Sequence, residues 1–211
     1  TELGINHGGS LDKAIFLADK ALRAGAKIIK HQTHIPEEEM AMVAKKIKPG
    51  NSNSSIFSVI KKNSLNYDDE KKLMEYINQK DGIFISTPFC KSAVDRLKKF
   101  RVPLFKIGSG ECNNYPLVEY ICKLKKPIIL STGMNDIRSI TPSVKLFRKY
   151  KIPYVLLHCT NIYPTDHKLV RLQAMKQIQK AFPDAIVGLS DHTVGIYTCF
   201  GAVSLGAKVI E

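Results

Sequence analysis

The sequence lacks any apolar run long enough to cross a membrane. Stretches such as YVLLH, residues 154–158, fall far short of the roughly 18 to 20 residues a bilayer span requires, and no secretory leader is recognisable. A cytoplasmic protein with no membrane partner is the expectation. Cysteine is sparse: the five residues Cys90, Cys112, Cys122, Cys159 and Cys199 are scattered and never in CxxC spacing. That excludes a zinc ribbon and points to reduced thiols in a reducing compartment. Also missing are a Walker A loop, a G-x-S-x-G elbow, an H-E-x-x-H pair and a cysteine in a recognisable nucleophile setting. NTPase, hydrolase and zincin readings lose support accordingly.

What is present is a chain of 211 residues, 44% hydrophobic, enough to bury one sizeable core with no internal break in composition. The net charge of +13 raises the question of a nucleic-acid partner. Its lysines fall in short groups (KLKK, RLKKF, FRKYK) without interleaved aromatics or a helix-turn-helix, RRM or KH signature, so a solvated basic exterior is the better reading. No nucleic acid is expected as a partner.

Eight short β-branched runs read as strands: residues 1–5, 26–30, 82–86, 104–108, 127–131, 154–158, 185–189 and 207–211. Between them apolar residues recur at three- and four-residue spacing, as in Leu11, Ala14, Ile15, Ala18 and Leu22, which predicts helices. Strand alternating with helix argues for parallel βα units, and eight strands with seven helical connections fit an α/β fold of the (β/α)8 TIM-barrel type, truncated at the eighth strand. An open doubly wound sheet is the alternative, although no G-x-G-x-x-G follows the first strand. Residues 33–66 form an oversized connection with a PGNSNSS tip, readable as a lid or as a passive excursion.

In a barrel the chemistry lies where strands end, and polar residues collect there: Asn6 and His7, Lys30 and Gln32, Ser86 and Thr87, Lys106 and Ser109, Ser131 and Thr132, His158 with Asn161 and Tyr163, Ser190 with Asp191 and His192, and Glu211. Singly, each Ser or Thr could be a helix cap. Together, two lysines with several hydroxyls make a cationic basin without a competing pair of carboxylates, suited to a phosphate- and carboxylate-bearing metabolite. Within KIIKHQTH, residues 27–34, strand alternation places Lys30 and Gln32 on one face and His31 on the other, so the two histidines of this run do not form a metal pair. His192 is a candidate for one metal position, with Asp191 available to orient it.

The motifs ELGINHGGSLDKA, KHQTH, ISTPF, FKIGSGECNNYPL, PIILSTGMN, LLHCTNIYPT, AFPDAIVGLSDHT and GAVSLGAKVIE occur in order along the whole chain. Together they resemble the bacterial N-acetylneuraminate (sialic acid) synthase family, whose wider group includes legionaminate and pseudaminate synthases. The resemblance implies metal-dependent condensation of phosphoenolpyruvate with N-acetylmannosamine, giving N-acetylneuraminate and phosphate. It assigns phosphoenolpyruvate to Lys30, Thr87, Lys106, Ser109, Ser131, Asn161 and Ser190, and the amino sugar to Glu2, Asn161 and Tyr163. Catalysis would involve Glu2, Lys30, Lys106 and His192. A divalent cation, usually Mn2+ with Mg2+ or Co2+ as alternatives, would take His192 and approach Gln32 through water. The second metal histidine would lie beyond Glu211, as would a small antifreeze-like domain. The expectation is therefore a fragment cut at both ends, inactive alone, from a homodimeric protein. The competing expectations are a nonulosonate synthase acting on a diacetamido hexose and a non-catalytic relative that binds anions or sugars.

Overall fold

Runs rich in isoleucine and valine become strands here because each is short and flanked by residues that stop it, and helices between them cover one face. The structure, a computed structural model, describes residues 1–49 and 52–211. Gly50 and Asn51 of the expected PGNSNSS tip lie outside the described residues. The chain divides into two units, Thr1–Pro103 and Leu104–Glu211.

In the first unit, β1 (Glu2–Gly4), β2 (Ile28–Thr33) and β3 (Ile83–Pro88) form a parallel sheet in that order. Helix α1 (Leu11–Arg23) joins β1 to β2. It starts where the Ser10 hydroxyl accepts from the Lys13 amide, and it buries Ala14 and Ala18. The long connection holds α2 (Pro36–Glu39), a 3-10 turn (Met42–Lys45), α3 (Ile56–Asn63) and α4 (Tyr67–Gln79). The oversized connection thus contains several helical turns, tied down by Ile56 N–H to Ile47 O at 2.8 Å and by a Lys61–Glu37 ion pair. Helix α4 buries Leu73 and Ile77, and packs on α1. Helix α5 (Lys91–Lys99) follows β3.

In the second unit, β4 (Phe105–Ile107), β5 (Ile128–Ser131), β6 (Tyr154–Cys159) and β7 (Ile186–Ser190) form another parallel sheet in chain order. The crossovers are α6 (Tyr115–Cys122), α7 (Ile137–Tyr150) and α8 (Ala174–Ala181), and α9 (Tyr197–Ser204) follows β7. Helix α7 opens with a reciprocal cap between Asp136 and Ser139 and buries Ile140, Val144 and Phe147, each worth about 1.5–3 kcal/mol of burial. Neither sheet reverses its strand order, as a doubly wound sheet would. The α/β reading with parallel strands and helical connections is what the structure has.

The eighth strand is a correction. Residues 207–211 make one isolated bridge, Ile210 to Leu189, rather than a full strand. Backbone bonds from Lys208 N to Val187 O, Leu189 N to Val209 O and Glu211 N to Leu189 O still lay the segment parallel to β7 at 2.8–3.0 Å. The approach is close because residue 188 is glycine: a Cβ there would stand 2.1 Å from Val209 O. These few bonds give a single bridge at Ile210 and no longer ladder. No helix among the described residues is long and apolar enough to cross a membrane.

Candidate anion site at the strand ends

Side-chain alternation sorts the polar strand ends by face. In the second sheet, pairing of Ile129 with Lys106, Ser131 with Leu157, Leu157 with Gly188 and Cys159 with Ser190 carries one face across all four strands. Lys106, Ser131, Cys159 and Ser190 share it, and Glu211 joins them from the segment beside β7.

Lys106 is 2% exposed. Its ammonium donates to Ser131 Oγ at 2.8 Å and to Ile107 O at 3.3 Å, and pairs with Glu211 Oε2 at 3.3 Å. The Ser190 hydroxyl donates to the same carboxylate oxygen at 2.6 Å, and the Ser131 hydroxyl reaches it at 3.4 Å. One carboxylate oxygen is therefore held by an ammonium and two hydroxyls, the donor set an anion requires. A single carboxylate, Glu211, stands at this seat beside the lysine, and the reason is electrostatic. A lysine this deep needs a counter-charge, because an unpaired buried ammonium is strongly disfavoured. Ser109 Oγ accepts from the Gly133 N–H at 3.0 Å, which brings the β5–α7 loop against the turn after β4.

His192 lies just past β7. Its Nδ1 donates to Thr160 O at 2.9 Å, which fixes the tautomer and leaves Nε2 with a lone pair. That fits one metal-coordination position. Among the described residues no group of three or more His, Cys, Asp or Glu side chains could hold a metal ion, so the ligand set is not completed by them. Asp191 does not orient His192, contrary to expectation. Its carboxylate instead accepts from the Thr193 amide and hydroxyl, each at 3.0 Å, closing a local turn. Tyr163 is exposed, with its ring 4.1 Å from the His192 ring. Burial pushes the His192 imidazole down, but its contacts with Cys159 and Thr160 outweigh that and raise it. The Cys159 thiol is pushed up by burial and pulled further down by its contacts with His192 and Ser109, so it sits below the ordinary thiol value.

In the first unit, Lys30 pairs with the Glu2 carboxylate, again a buried ammonium with a counter-charge. Gln32 Oε1 meets His34 Nε2 at 3.3 Å, and His34 in turn pairs with Glu39 at 2.8 Å. Thr87 is Gln32's neighbour in register, and its buried hydroxyl has no hydrogen-bond partner. Buried polar groups are rarely orphaned, and such a group is a natural place for a ligand oxygen. His31 takes the opposite face, as alternation requires. There it joins His7, Thr33 and Ser86 around the Glu70 carboxylate of α4, which also receives Arg96 at 2.9 Å.

Cys159 was passed over by sequence reasoning, and Glu211, picked out at a strand end, was given no role. The alternation that paired Lys30 with Gln32 would have placed both on the site face, applied to LLHC and KVIE.

Residues 17–211 match the NeuB family. The chain is 37% identical over 217 residues to the N,N'-diacetyllegionaminic acid synthase of Campylobacter jejuni, covering all of this chain and 65% of that protein. It is 31% identical over 214 residues to the human N-acetylneuraminate-9-phosphate synthase, covering all of this chain and 59% of that protein. A solved N-acetylneuraminic acid (sialic acid) synthetase from Leptospira borgpetersenii superposes with a TM-score of 0.89 at 30% identity, over all of this chain and 70% of that one. The chain spans about three fifths of the length of the curated relatives it matches.

Proposed function

This chain belongs to the NeuB family, and on that premise we propose that it is the phosphoenolpyruvate-binding part of a synthase that condenses phosphoenolpyruvate with an acetamido sugar, N-acetylmannosamine in the first instance, to give N-acetylneuraminate and phosphate. The observation that carries the proposal is the seat formed by Lys106, Ser131 and Ser190, which already holds a carboxylate oxygen.

In this reading Lys106, Ser109, Ser131, Asn161 and Ser190 receive the phosphate and carboxylate of phosphoenolpyruvate, and Glu211 moves aside when they do. Lys30 and the orphaned Thr87 hydroxyl are assigned the same substrate; Glu2, Asn161 and Tyr163 the sugar. Atom C3 of the enol attacks the sugar aldehyde carbon, water adds at C2, and the tetrahedral product loses phosphate by cleavage of the C2–O bond. The protein's own residues contribute by fixing the reacting atoms at the right distance and by charge already in place when the phosphate begins to leave. His192, through Nε2, would be one ligand of a divalent metal, Mn2+ by expectation, which supplies Lewis acidity toward the aldehyde when bound; Gln32 is proposed to meet that metal's water. The working form is proposed to be a homodimer of the full-length protein.

A second reading exchanges N-acetylmannosamine for a diacetamido hexose, and one observation favours it: identity to the Campylobacter diacetyllegionaminic acid synthase is higher than to the human 9-phosphate synthase, 37% against 31%. Phosphate release by the full-length protein with Mn2+ and phosphoenolpyruvate, measured with each sugar in turn, separates the readings. Release with N-acetylmannosamine supports the first and release with only the diacetamido sugars the second. Release with neither rejects both.

A further inference from the structure

Cys159 closes β6 on the same sheet face as Lys106 and Ser190, 7% exposed, and has so far been given no task. Its sulfur lies 3.1 Å from Asn161 Oδ1 and 3.9 Å from His192 Nδ1. The histidine nitrogen carries its own proton, committed to Thr160 O at 2.9 Å, so it cannot accept the thiol hydrogen. The S–H is therefore left to donate to Asn161 Oδ1. With that oxygen engaged, the carboxamide cannot flip without losing the bond, and its NH2 is presented as a donor pair.

The same amide oxygen also rests on Gly133. A Cβ at that position would stand 1.8 Å from Asn161 Oδ1, 2.9 Å from its Cγ and 3.0 Å from Ser109 Oγ. Only a residue without a side chain leaves room for the amide in this orientation. The Gly133 amide also donates to Ser109 Oγ at 3.0 Å, so one backbone position sets both Ser109 and Asn161.

We infer that Cys159 and Gly133 are positioning residues that hold the Asn161 carboxamide with its NH2 turned toward the phosphoenolpyruvate oxygens. The inference rests on the proposed assignment of Asn161 to that substrate. Cys159 itself touches no reacting atom; its effect passes through Asn161, and so it should appear in substrate affinity more than in turnover.

The test uses the full-length protein and two readouts, steady-state phosphate release and calorimetric binding of phosphoenolpyruvate. Cys159→Ala is expected to raise KM and Kd for phosphoenolpyruvate roughly three- to tenfold, the size of one neutral hydrogen bond, and to change kcat less than KM. Cys159→Ser, whose hydroxyl can donate to the same oxygen, should recover most of that loss. In an Asn161→Ala background, Cys159→Ala should add no further change, because the group it positions is gone. Gly133→Ala should weaken binding at least as much as Asn161→Ala. Should the alanine variant at 159 fail to fold, Cys159→Val, similar in size and without a donor, replaces it. Wild-type affinity in Cys159→Ala, failure of serine to restore it, or a full additive loss in the double variant would overturn the inference. Calorimetry judges it apart from turnover, so absence of phosphate release with every sugar would defeat the enzymatic reading while binding still decides the positioning claim.

Discussion

Acidification should destabilise the first unit in a way set by one buried chain of side chains. His7 is fully buried; its Nδ1 accepts from the Gly9 N–H at 3.1 Å and its Nε2 meets His31 Nε2 at 3.2 Å. His31 Nδ1 then meets Glu70 Oε1 at 3.2 Å. One assignment of protons satisfies every contact: His7 protonated on Nε2, His31 on Nδ1, and Glu70 ionised. Burial, followed by repulsion from His31, lowers His7 from 6.5 to about 4. Between those values the unfolded imidazole binds a proton that the folded one refuses, so stability rises with pH across the window and is lost on acidification. The difference, at about 1.4 kcal/mol per pH unit, amounts to roughly 3 kcal/mol by pH 4. Burial pushes the Glu70 carboxyl up, but bonds from His31, Thr33 and Arg96 together outweigh it and hold the carboxyl below its ordinary value. Its contribution is present above the ordinary carboxylate range and disappears as pH falls from there through the folded value, so it overlaps the foot of the His7 window and extends below it. Urea denaturation at pH 7, 5.5 and 4.5 measures the slope, and His7→Gln should flatten its upper part. A stability independent of pH between 6.5 and 4.5, or the same slope in the variant, would refute the proton assignment.

Arg96→Met leaves the Glu70 carboxylate buried without its guanidinium and should cost about 3–5 kcal/mol in urea denaturation; a loss under about 1 kcal/mol would mean the pair is dispensable. Thr87→Val removes a hydroxyl that bonds to nothing in the folded chain, so stability should stay within about 1 kcal/mol while phosphoenolpyruvate affinity drops roughly five- to tenfold. Equal loss of both would show that Thr87 is structural. Lys106→Ala should weaken phosphoenolpyruvate binding far more than sugar binding in the full-length protein, and the opposite ranking would mean the pocket is wrongly drawn.

Periodicity made the fold legible because each strand of this chain is short and bounded, and helices such as α1, α5, α7 and α8 carry their apolar residues on one face. Ile28–Thr33 and Ile128–Ser131 fall within two or three residues of the runs read from sequence. The last run, AKVIE, reads like the others but makes a single bridge, and pattern alone does not report how long a ladder a strand will form. For the site, strand-end position was enough to pick out Lys106, Ser131 and Ser190, which the structure brings within hydrogen-bonding reach of one carboxylate oxygen. It was not enough to see that each lysine would carry its own counter-ion. Pairing of Lys30 with Glu2, and of Lys106 with Glu211, depends on residues 28 and 105 positions apart in sequence, and it follows from the energetics of burial rather than from any motif. Asp191 misled for the opposite reason. Its place beside His192 suggested a partner, yet its carboxylate bonds forward to Thr193 while a carbonyl from the loop after β6 orients the histidine.

The central claim is that the oxygen-lined seat at Lys106 holds phosphoenolpyruvate while a new carbon–carbon bond forms at C3 and phosphate leaves with the C2 oxygen. Phosphoenolpyruvate carrying 18O at the oxygen that bridges C2 and phosphorus tests it directly. With the full-length protein, Mn2+ and an acetamido sugar, the account predicts that the inorganic phosphate released carries the label. Unlabelled phosphate would mean cleavage at phosphorus and would contradict it, as would no phosphate from any sugar.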